Sequence, residues 1–176
     1  LCLDYLQVRI PELLILFFSF FFCFHSFIHS IIQQAARYDD IDDVKSIASS
    51  GVPLDSKDSE GRTALHMASA NGYIGIVDYL ICSGVDVNAP NTEKNTPLHW
   101  ACLNGHIEVV KRLILAGASL SSLNTHERTP VDEAVSRGKM DVIDAINEAA
   151  AQAELAGTWV SGPVDLSEDQ MDEVLN

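Results

Sequence analysis

The chain has 176 residues, which is enough to bury one hydrophobic core, so we expect a single compact unit. Its 25 acidic and 11 basic side chains give a formal charge of −14. A polyanion of this kind repels nucleic-acid phosphates, which argues against direct nucleic-acid binding and favours a basic partner.

The first 32 residues differ in composition from the rest of the chain. All seven phenylalanines lie between Phe17 and Phe27, and residues 13–32 carry no formal charge. A run of about 20 apolar residues can span a bilayer, so one interpretation is a transmembrane anchor over 13–32. The other interpretation is a gene-model artefact that ends before Gln33. The chain starts with Leu1, and the residues of the run have pyrimidine-rich codons, as a translated intron tract would. A signal peptide fits less well, because the run is long and no small-residue cleavage site follows it.

The cysteines indicate a reducing compartment, the cytoplasm or the nucleus. Cys2, Cys23, Cys82 and Cys102 are widely spaced, and no CxxC pair occurs, so we expect neither a disulfide framework nor a zinc site. We expect Cys82 and Cys102 to be small buried apolar side chains.

From residue 33 onward, several residue types recur every 33 positions. The recurring sets are Thr63, Thr96 and Thr129; Leu65, Leu98 and Val131; Ala68, Ala101 and Ala134; Gly72, Gly105 and Gly138; and Gly51, Gly84 and Gly117. A fixed period of this length is the signature of a repeat architecture.

Each recurring residue has a physical role in a helical hairpin. The threonine can cap a first helix, and Pro97 or Pro130 then occupies a first helical position, where a missing N–H costs nothing. Gly72 can end that helix in the left-handed conformation. A second helix follows, IGIVDYLICS in one unit and IEVVKRLILA in the next, and ends at Gly84 or Gly117. Neither helix can bury its apolar stripe alone, so the units must stack.

These motifs resemble the ankyrin-repeat family over about 120 residues. The shared features are TALH and TPLH, the A-x₃-G spacing, the VV-x-x-L pattern of the second helix, and GVDVNA. The resemblance implies an all-α solenoid with two full repeats, 58–90 and 91–123, between an amino-terminal capping repeat, 33–57, and a carboxy-terminal one, 124–155. Gln33 and Gln34 open the first helix of the first repeat, as expected for a cap, and Asp132 replaces the motif histidine in the last.

The segments TALHMASANG and TPLHWACLNG are also similar to a small group of plant and fungal ankyrin proteins. That group includes a yeast chaperone that escorts a basic ribosomal protein of the small subunit. The likeness implies a protein-binding adaptor, or more narrowly a monomeric chaperone of a basic ribosomal protein. The alternative is a membrane-anchored ankyrin protein that uses residues 13–32. The acidic tail, 156–176, is expected to be disordered or to bind through a short amphipathic segment.

Motifs for catalysis are lacking. The sequence contains no Gly-rich phosphate loop, HExxH or GxSxG, so we expect no catalytic residue, no metal and no cofactor. The resemblance implies that His66 and His99 hydrogen-bond the turns of their own and the next unit. Cys102 follows His99 by three residues, but it stands at a position usually held by alanine.

The resemblance places partner binding on the concave side, which turn tips and inner helices form. The candidate partner-binding residues are Ser59, Glu60, Arg62, Asn71, Thr92, Glu93, Asn95, Trp100, Leu103, Asn104, His126 and Arg128. For Trp100, burial within the stack and partial exposure as a binding anchor both remain open. The acidic run from Asp39 to Asp43 suits the positive end of the following helix, which favours a stabilising role over a partner site, although both can hold.

Overall fold

The computed structural model describes residues 31–155, and these form eight helices without a β-strand. The helices pair into four hairpins, each with an inner and an outer helix. The inner helices are α1 (31–37), α3 (Ala64–Asn71), α5 (Pro97–Asn104) and α7 (Pro130–Ser136), and the outer helices are α2 (Ile41–Ser49), α4 (Ile74–Cys82), α6 (Ile107–Leu115) and α8 (Met140–Leu155). The predicted all-α solenoid is confirmed.

The inner helices begin and end where the sequence predicts. Thr63 and Thr129 are N-caps whose hydroxyl oxygens accept a backbone N–H from the third helical residue. Pro97 and Pro130 occupy first helical positions. Gly72 ends α3 with a φ of 80°, a conformation that a residue with a Cβ atom adopts only at a cost.

The hairpins stack so that equivalent residues form a continuous core. α3 packs against α5 and α5 against α7, while α6 packs against α8 on the outer side. The residues buried at equivalent positions include Leu65 and Leu98, Ala68, Ala101 and Ala134, and Leu80, Leu113 and Ile146. Burying one such leucine contributes roughly 2 kcal/mol, and the stacking of neighbouring units is part of that burial.

Between the hairpins the chain forms turns that project beyond the inner helices. We call these hairpin tips; they comprise residues 58–62, 91–95 and 124–128. In each tip the side chain of the first residue accepts two backbone N–H groups, as Asn91 Oδ1 does from Glu93 at 3.0 Å and from Asn95 at 2.8 Å. Neighbouring tips are joined by backbone hydrogen bonds, such as Thr92 N–H to Glu60 O at 3.0 Å. The tips therefore form one connected edge.

The first described hairpin follows the same register. Ile32 occupies the position of Leu65 one unit earlier and is fully buried. Gln33 occupies the position of His66, is 4% exposed, and donates through Nε2 to Ser56 O at 2.6 Å. The expectation that Gln33 opens the first helix as a polar cap is wrong, because α1 already includes residues 31 and 32 and Gln33 faces the next unit. The boundary placed before Gln33 lies inside α1.

Two of the predictions concern residues outside the described range. The interpretations of 13–32 as a transmembrane anchor or an artefact fall almost wholly on residues 1–30, and the acidic tail comprises 156–176. Among residues 31–155, the helices are too short or too polar to cross a bilayer.

The two described cysteines differ in their surroundings. Cys102 is fully buried, and burial raises the pKa of its thiol to about 12. Cys82 is exposed, so the expectation that both are buried is wrong for this residue. The inward positions of α4 are Ile76, Val77 and Leu80, and Cys82 follows them on the outward side of the last turn.

Candidate protein-binding surface

The inner helices and the hairpin tips form one side of the solenoid, which we call the inner face. It is the side that the resemblance identifies as concave. The 33-residue register brings the predicted partner-binding residues to this side, because each lies on an inner helix or a tip. Those exposed to solvent are Ser59, Glu60, Asn71, Thr92, Glu93, Asn104, His126 and Arg128, and those half-buried are Arg62, Trp100 and Leu103.

Asn95 differs from the other predicted residues because it is a structural side chain. It is only 8% exposed, and all its polar groups have internal partners. Its Nδ2 donates to Glu93 Oε2 at 3.1 Å, and its Oδ1 accepts from Asn124 Nδ2 at 2.9 Å. Its backbone oxygen accepts from His66. Asn95 is therefore unavailable to a partner, and its prediction as a contact residue is wrong.

His66 and His99 connect successive units through both ring nitrogens. His66 Nδ1 accepts from Thr63 N–H at 3.2 Å, and Nε2 lies 2.9 Å from Asn95 O. Because a carbonyl only accepts, Nε2 carries the proton and the ring is neutral. His99 repeats this arrangement between Thr96 N–H and the backbone oxygen of Arg128. The expected structural role of both histidines is what the geometry shows.

Burial keeps these imidazoles neutral. Desolvation lowers the pKa of His66 from 6.5 to about 4, and a hydrogen bond to Asn95 opposes it. Burial lowers the pKa of His99 as well. Both ring nitrogens of each histidine are engaged in hydrogen bonds, so neither nitrogen is free to bind a metal or to transfer a proton.

Trp100 lies at the centre of the inner face. Its indole is half-buried, and its ring meets that of His66 edge to face, with centroids 5.4 Å apart. The equivalent residues in neighbouring units, Met67 and Glu133, are both buried. Trp100 is therefore packed against the core over part of its surface and exposed over the rest, and its role as a binding anchor stays a prediction.

The charged side chains of the tips are partly neutralised within the protein. Arg62 pairs with Asp58 at 2.7 Å and with Glu60 at 2.6 Å. Arg128 lies 3.7 Å from Glu133, which is 8% exposed and accepts from Asn124. Arg62 is consequently held in place and has less freedom to meet a partner than the sequence suggests.

Two tip residues that sequence reasoning missed are Lys94 and Glu127. They have φ values of 59° and 58°, at the position where Gly61 has 71° in the first tip. Both residues are exposed. Aligning the units at the 33-residue period would have identified them, because Lys94 and Glu127 place charged side chains at the tip position where the first unit has Gly61.

On the outer side, the acidic run stabilises α2. Asp40 is the N-cap and its Oδ1 accepts from Asp43 N–H at 2.9 Å, while Asp42 and Asp43 lie in the first turn. Ion pairs between Arg112 and Asp78, and between Lys111 and Glu148, join successive outer helices. Within 31–155, no group of three His, Cys, Asp or Glu side chains could hold a metal ion.

Comparison with known proteins agrees with the stacked hairpins. A family profile described as ankyrin repeats in three copies matches residues 21–91, and one described as ankyrin repeats in many copies matches 73–114. Together they span 21–114, more than half of the chain. The first match begins inside the apolar segment 13–32.

One curated relative is similar over a shorter stretch. An L-asparaginase of Dirofilaria immitis is 37% identical over 57 residues, which is 32% of this chain and 10% of that protein. The chain therefore spans about one tenth of the relative's length, and the enzyme name describes that longer protein.

Proposed function

Since the chain belongs to the ankyrin-repeat family, whose repeats bind other proteins, we propose that it is a non-catalytic adaptor that holds a protein on its inner face. The inner face supports this proposal because eight predicted contact residues are exposed there in one register. Buried groups such as His66, His99 and Asn95 meanwhile perform the structural work.

A matched pair of leucines tests the use of the inner face. Leu103 is half-buried on α5, and Leu115 is 38% exposed at the end of α6 on the outer side. We expect Leu103→Lys to abolish capture of the partner from a cell lysate, because a lysine in the middle of an interface disrupts its apolar contact. Leu115→Lys should retain capture of the same protein.

The measurement is mass spectrometry of proteins bound to the tagged full-length chain and to each variant. Circular dichroism must show equal helix content for both variants, so that a loss of binding is not a loss of fold. If one protein is retained equally by both variants, the inner face is not the binding side.

A narrower proposal is that the partner is a basic ribosomal protein of the small subunit, which a monomeric chain escorts in the cytoplasm or nucleus. The formal charge of −14 supports it, because opposite charge accelerates encounter. The likeness of TPLHWACLNG to the plant and fungal group also supports it.

Purified small-subunit ribosomal proteins provide the test of this narrower proposal. We expect the full chain to keep one of them soluble at 50 mM salt, and to bind it several-fold more weakly at 500 mM, where charges are screened beyond about 4 Å. Leu115→Lys should protect equally and Leu103→Lys should not. Aggregation of every ribosomal protein in the presence of the wild-type chain would exclude the chaperone role and leave the adaptor role intact.

A further inference from the structure

We propose that the middle of the inner face takes an apolar side chain from a basic protein segment, and that Glu93 pairs with a lysine or arginine of that segment. The proposal rests on the proposed function and adds the chemistry of the partner. We call the exposed surface of α3 and α5 the floor of the inner face.

The floor carries no charge. Neither Ala64–Asn71 nor Pro97–Asn104 contains an Asp, Glu, Lys or Arg residue, although one residue in five of the chain is charged. Ala70, Trp100 and Leu103 are half-buried there. An uncharged floor that includes an open part of an indole ring favours contact with an apolar side chain.

Two asparagine amides lie at the border of the floor. Asn71 Nδ2 donates to Met67 O at 2.9 Å, and Asn104 Nδ2 donates to Ala70 O at 2.8 Å. One N–H group of each amide is engaged in this way, and the Oδ1 atoms of both exposed amides have no partner among residues 31–155. Acceptors of this kind suit the N–H groups of a lysine or arginine side chain.

Glu93 adds a fixed negative charge. Asn95 Nδ2 holds its Oε2 at 3.1 Å, and Asn95 in turn accepts from His66, whose ring contacts Trp100. This chain of contacts fixes the position of the Glu93 carboxylate relative to the Trp100 indole. No cation within the described range pairs with it, whereas Glu60 in the preceding tip is paired with Arg62.

These features together select one kind of occupant. An acidic segment would meet Glu93 and two acceptor oxygens, and a purely polar segment would leave the floor uncovered. A segment with an apolar residue beside a lysine or arginine covers the floor and pairs with Glu93. Lys94 is the one cation of this tip, and its charge repels a basic segment. Within 31–155, Lys94 has no ion pair.

Synthetic peptides of equal length test the occupant, with Trp100 fluorescence as the reporter. The chain has two tryptophans, so the full-length Trp159→Phe variant makes Trp100 the sole emitter. We expect a leucine–lysine peptide to bind and shift the emission to the blue, because it removes water from the indole. A serine–lysine peptide should bind at least tenfold more weakly, and a leucine–glutamate peptide should not bind.

Single substitutions near the floor should change the affinity for the leucine–lysine peptide in opposite directions. Glu93→Gln keeps the size of the side chain but removes the charge, and should weaken binding about threefold, whereas Lys94→Gln should strengthen it by a similar factor. Leu115→Lys on the outer side serves as a control and should leave the affinity within twofold.

Equal affinity for the leucine–lysine and serine–lysine peptides would overturn the proposal, because binding would then be charge attraction alone. An unchanged Trp100 emission would also overturn it. If these peptide results fail while Leu103→Lys still abolishes capture of the protein partner, the adaptor function stands and only the inferred occupant is wrong.

Discussion

Asn95 shows what a single buried polar residue contributes to this protein. Its side chain is hydrogen-bonded to Glu93 within its own tip and to Asn124 in the next, and its backbone oxygen binds His66 in the preceding unit. Buried amides are tolerated when every group finds a partner. One residue therefore connects three successive units. From the sequence alone, Asn95 could not be told from an exposed contact residue, because it stands at a tip position.

Ser69 is the opposite case, a buried hydroxyl without a partner. It is fully buried on α3, and its Oγ has no hydrogen bond within the described structure. Ala36 and Cys102 occupy the equivalent positions and are also fully buried. We expect Ser69→Ala to raise the free energy of unfolding by about 1 kcal/mol, because it removes an uncompensated desolvation cost. Urea titration would measure this, and a loss of stability would mean that the hydroxyl has a partner, such as a buried water.

Asp39 has a left-handed backbone where three later units have glycine. Its φ is 61°, and the equivalent Gly72, Gly105 and Gly138 have values of 80°, 83° and 65°. We expect Asp39→Gly to stabilise the fold by about 0.5–1 kcal/mol in thermal unfolding, since glycine adopts this conformation without a Cβ clash. Asp42→Gly, on α2, provides the comparison and should destabilise by a similar amount. Equal changes for both variants would contradict the argument from backbone strain.

At the level of the helices, short inner helices are stable because their ends are chemically specified. A helix of eight residues is only marginally stable alone. A threonine cap and a first-turn proline lower the free-energy cost of starting it, and a left-handed glycine lowers the cost of ending it. α8 differs, with 16 residues where the other outer helices have nine. Its buried alanines, Ala149 and Ala153, show that the added turns are packed against the rest of the protein.

Gly75 is an avoidable weakness in α4. It is exposed on this helix, its φ is not left-handed, and an added Cβ atom would meet Ile41 Cδ1 at 3.9 Å, an ordinary contact. We expect Gly75→Ala to raise the free energy of unfolding by about 1 kcal/mol. Urea titration would show this as a higher midpoint.

Gly72→Ala is the matched substitution at a glycine that the fold requires. There a Cβ atom would lie 2.6 Å from His106 Nδ1, and φ is 80°. This variant should lose more stability than Gly75→Ala gains. A stabilising effect of both, or of neither, would show that glycine entropy does not govern these sites.

The sequence predicts local features of these elements better than contacts between units. The caps at Thr63, Thr96 and Thr129 follow from chemistry within four residues, so the ends of the inner helices are predictable. The burial of Gln33 and Asn95 depends on carbonyls and amides of the neighbouring unit, at a distance that only stacking sets. Register was available as a clue, since Gln33 stands 33 residues before His66. The exposure of Cys82 depends on which side of α4 faces its neighbours.

For the molecule as a whole, the buried histidines make stability depend on pH. The unfolded chain binds a proton at His66 below pH 6.5, whereas the folded protein does so only near the lowered pKa of about 4. The folded state therefore loses stability as the pH falls from 6.5 towards 4, by an amount of roughly 3 kcal/mol for His66. His99 acts in the same direction.

Urea unfolding at pH 7, 6 and 5 would measure the pH dependence. His66→Gln is the comparison, because Gln33 performs the same role in the first described unit, where its Nε2 also reaches Arg62 O at 3.5 Å. This variant should lose less stability on acidification than the wild type. Parallel slopes for the two proteins would assign the acid sensitivity to carboxylates instead.

The bonds between neighbouring tips make the units interchangeable in one specific way. Thr92 N–H meets Glu60 O, and Thr125 N–H meets Glu93 O, so both junctions use the same atoms at the same step. Excising residues 91–123 would bring Thr125 to Glu60 and Arg128 to His66 with both hydrogen bonds still available. A gene that loses or duplicates one such 33-residue block therefore still encodes matching surfaces, so the array can lengthen or shorten in evolution without a new junction being invented.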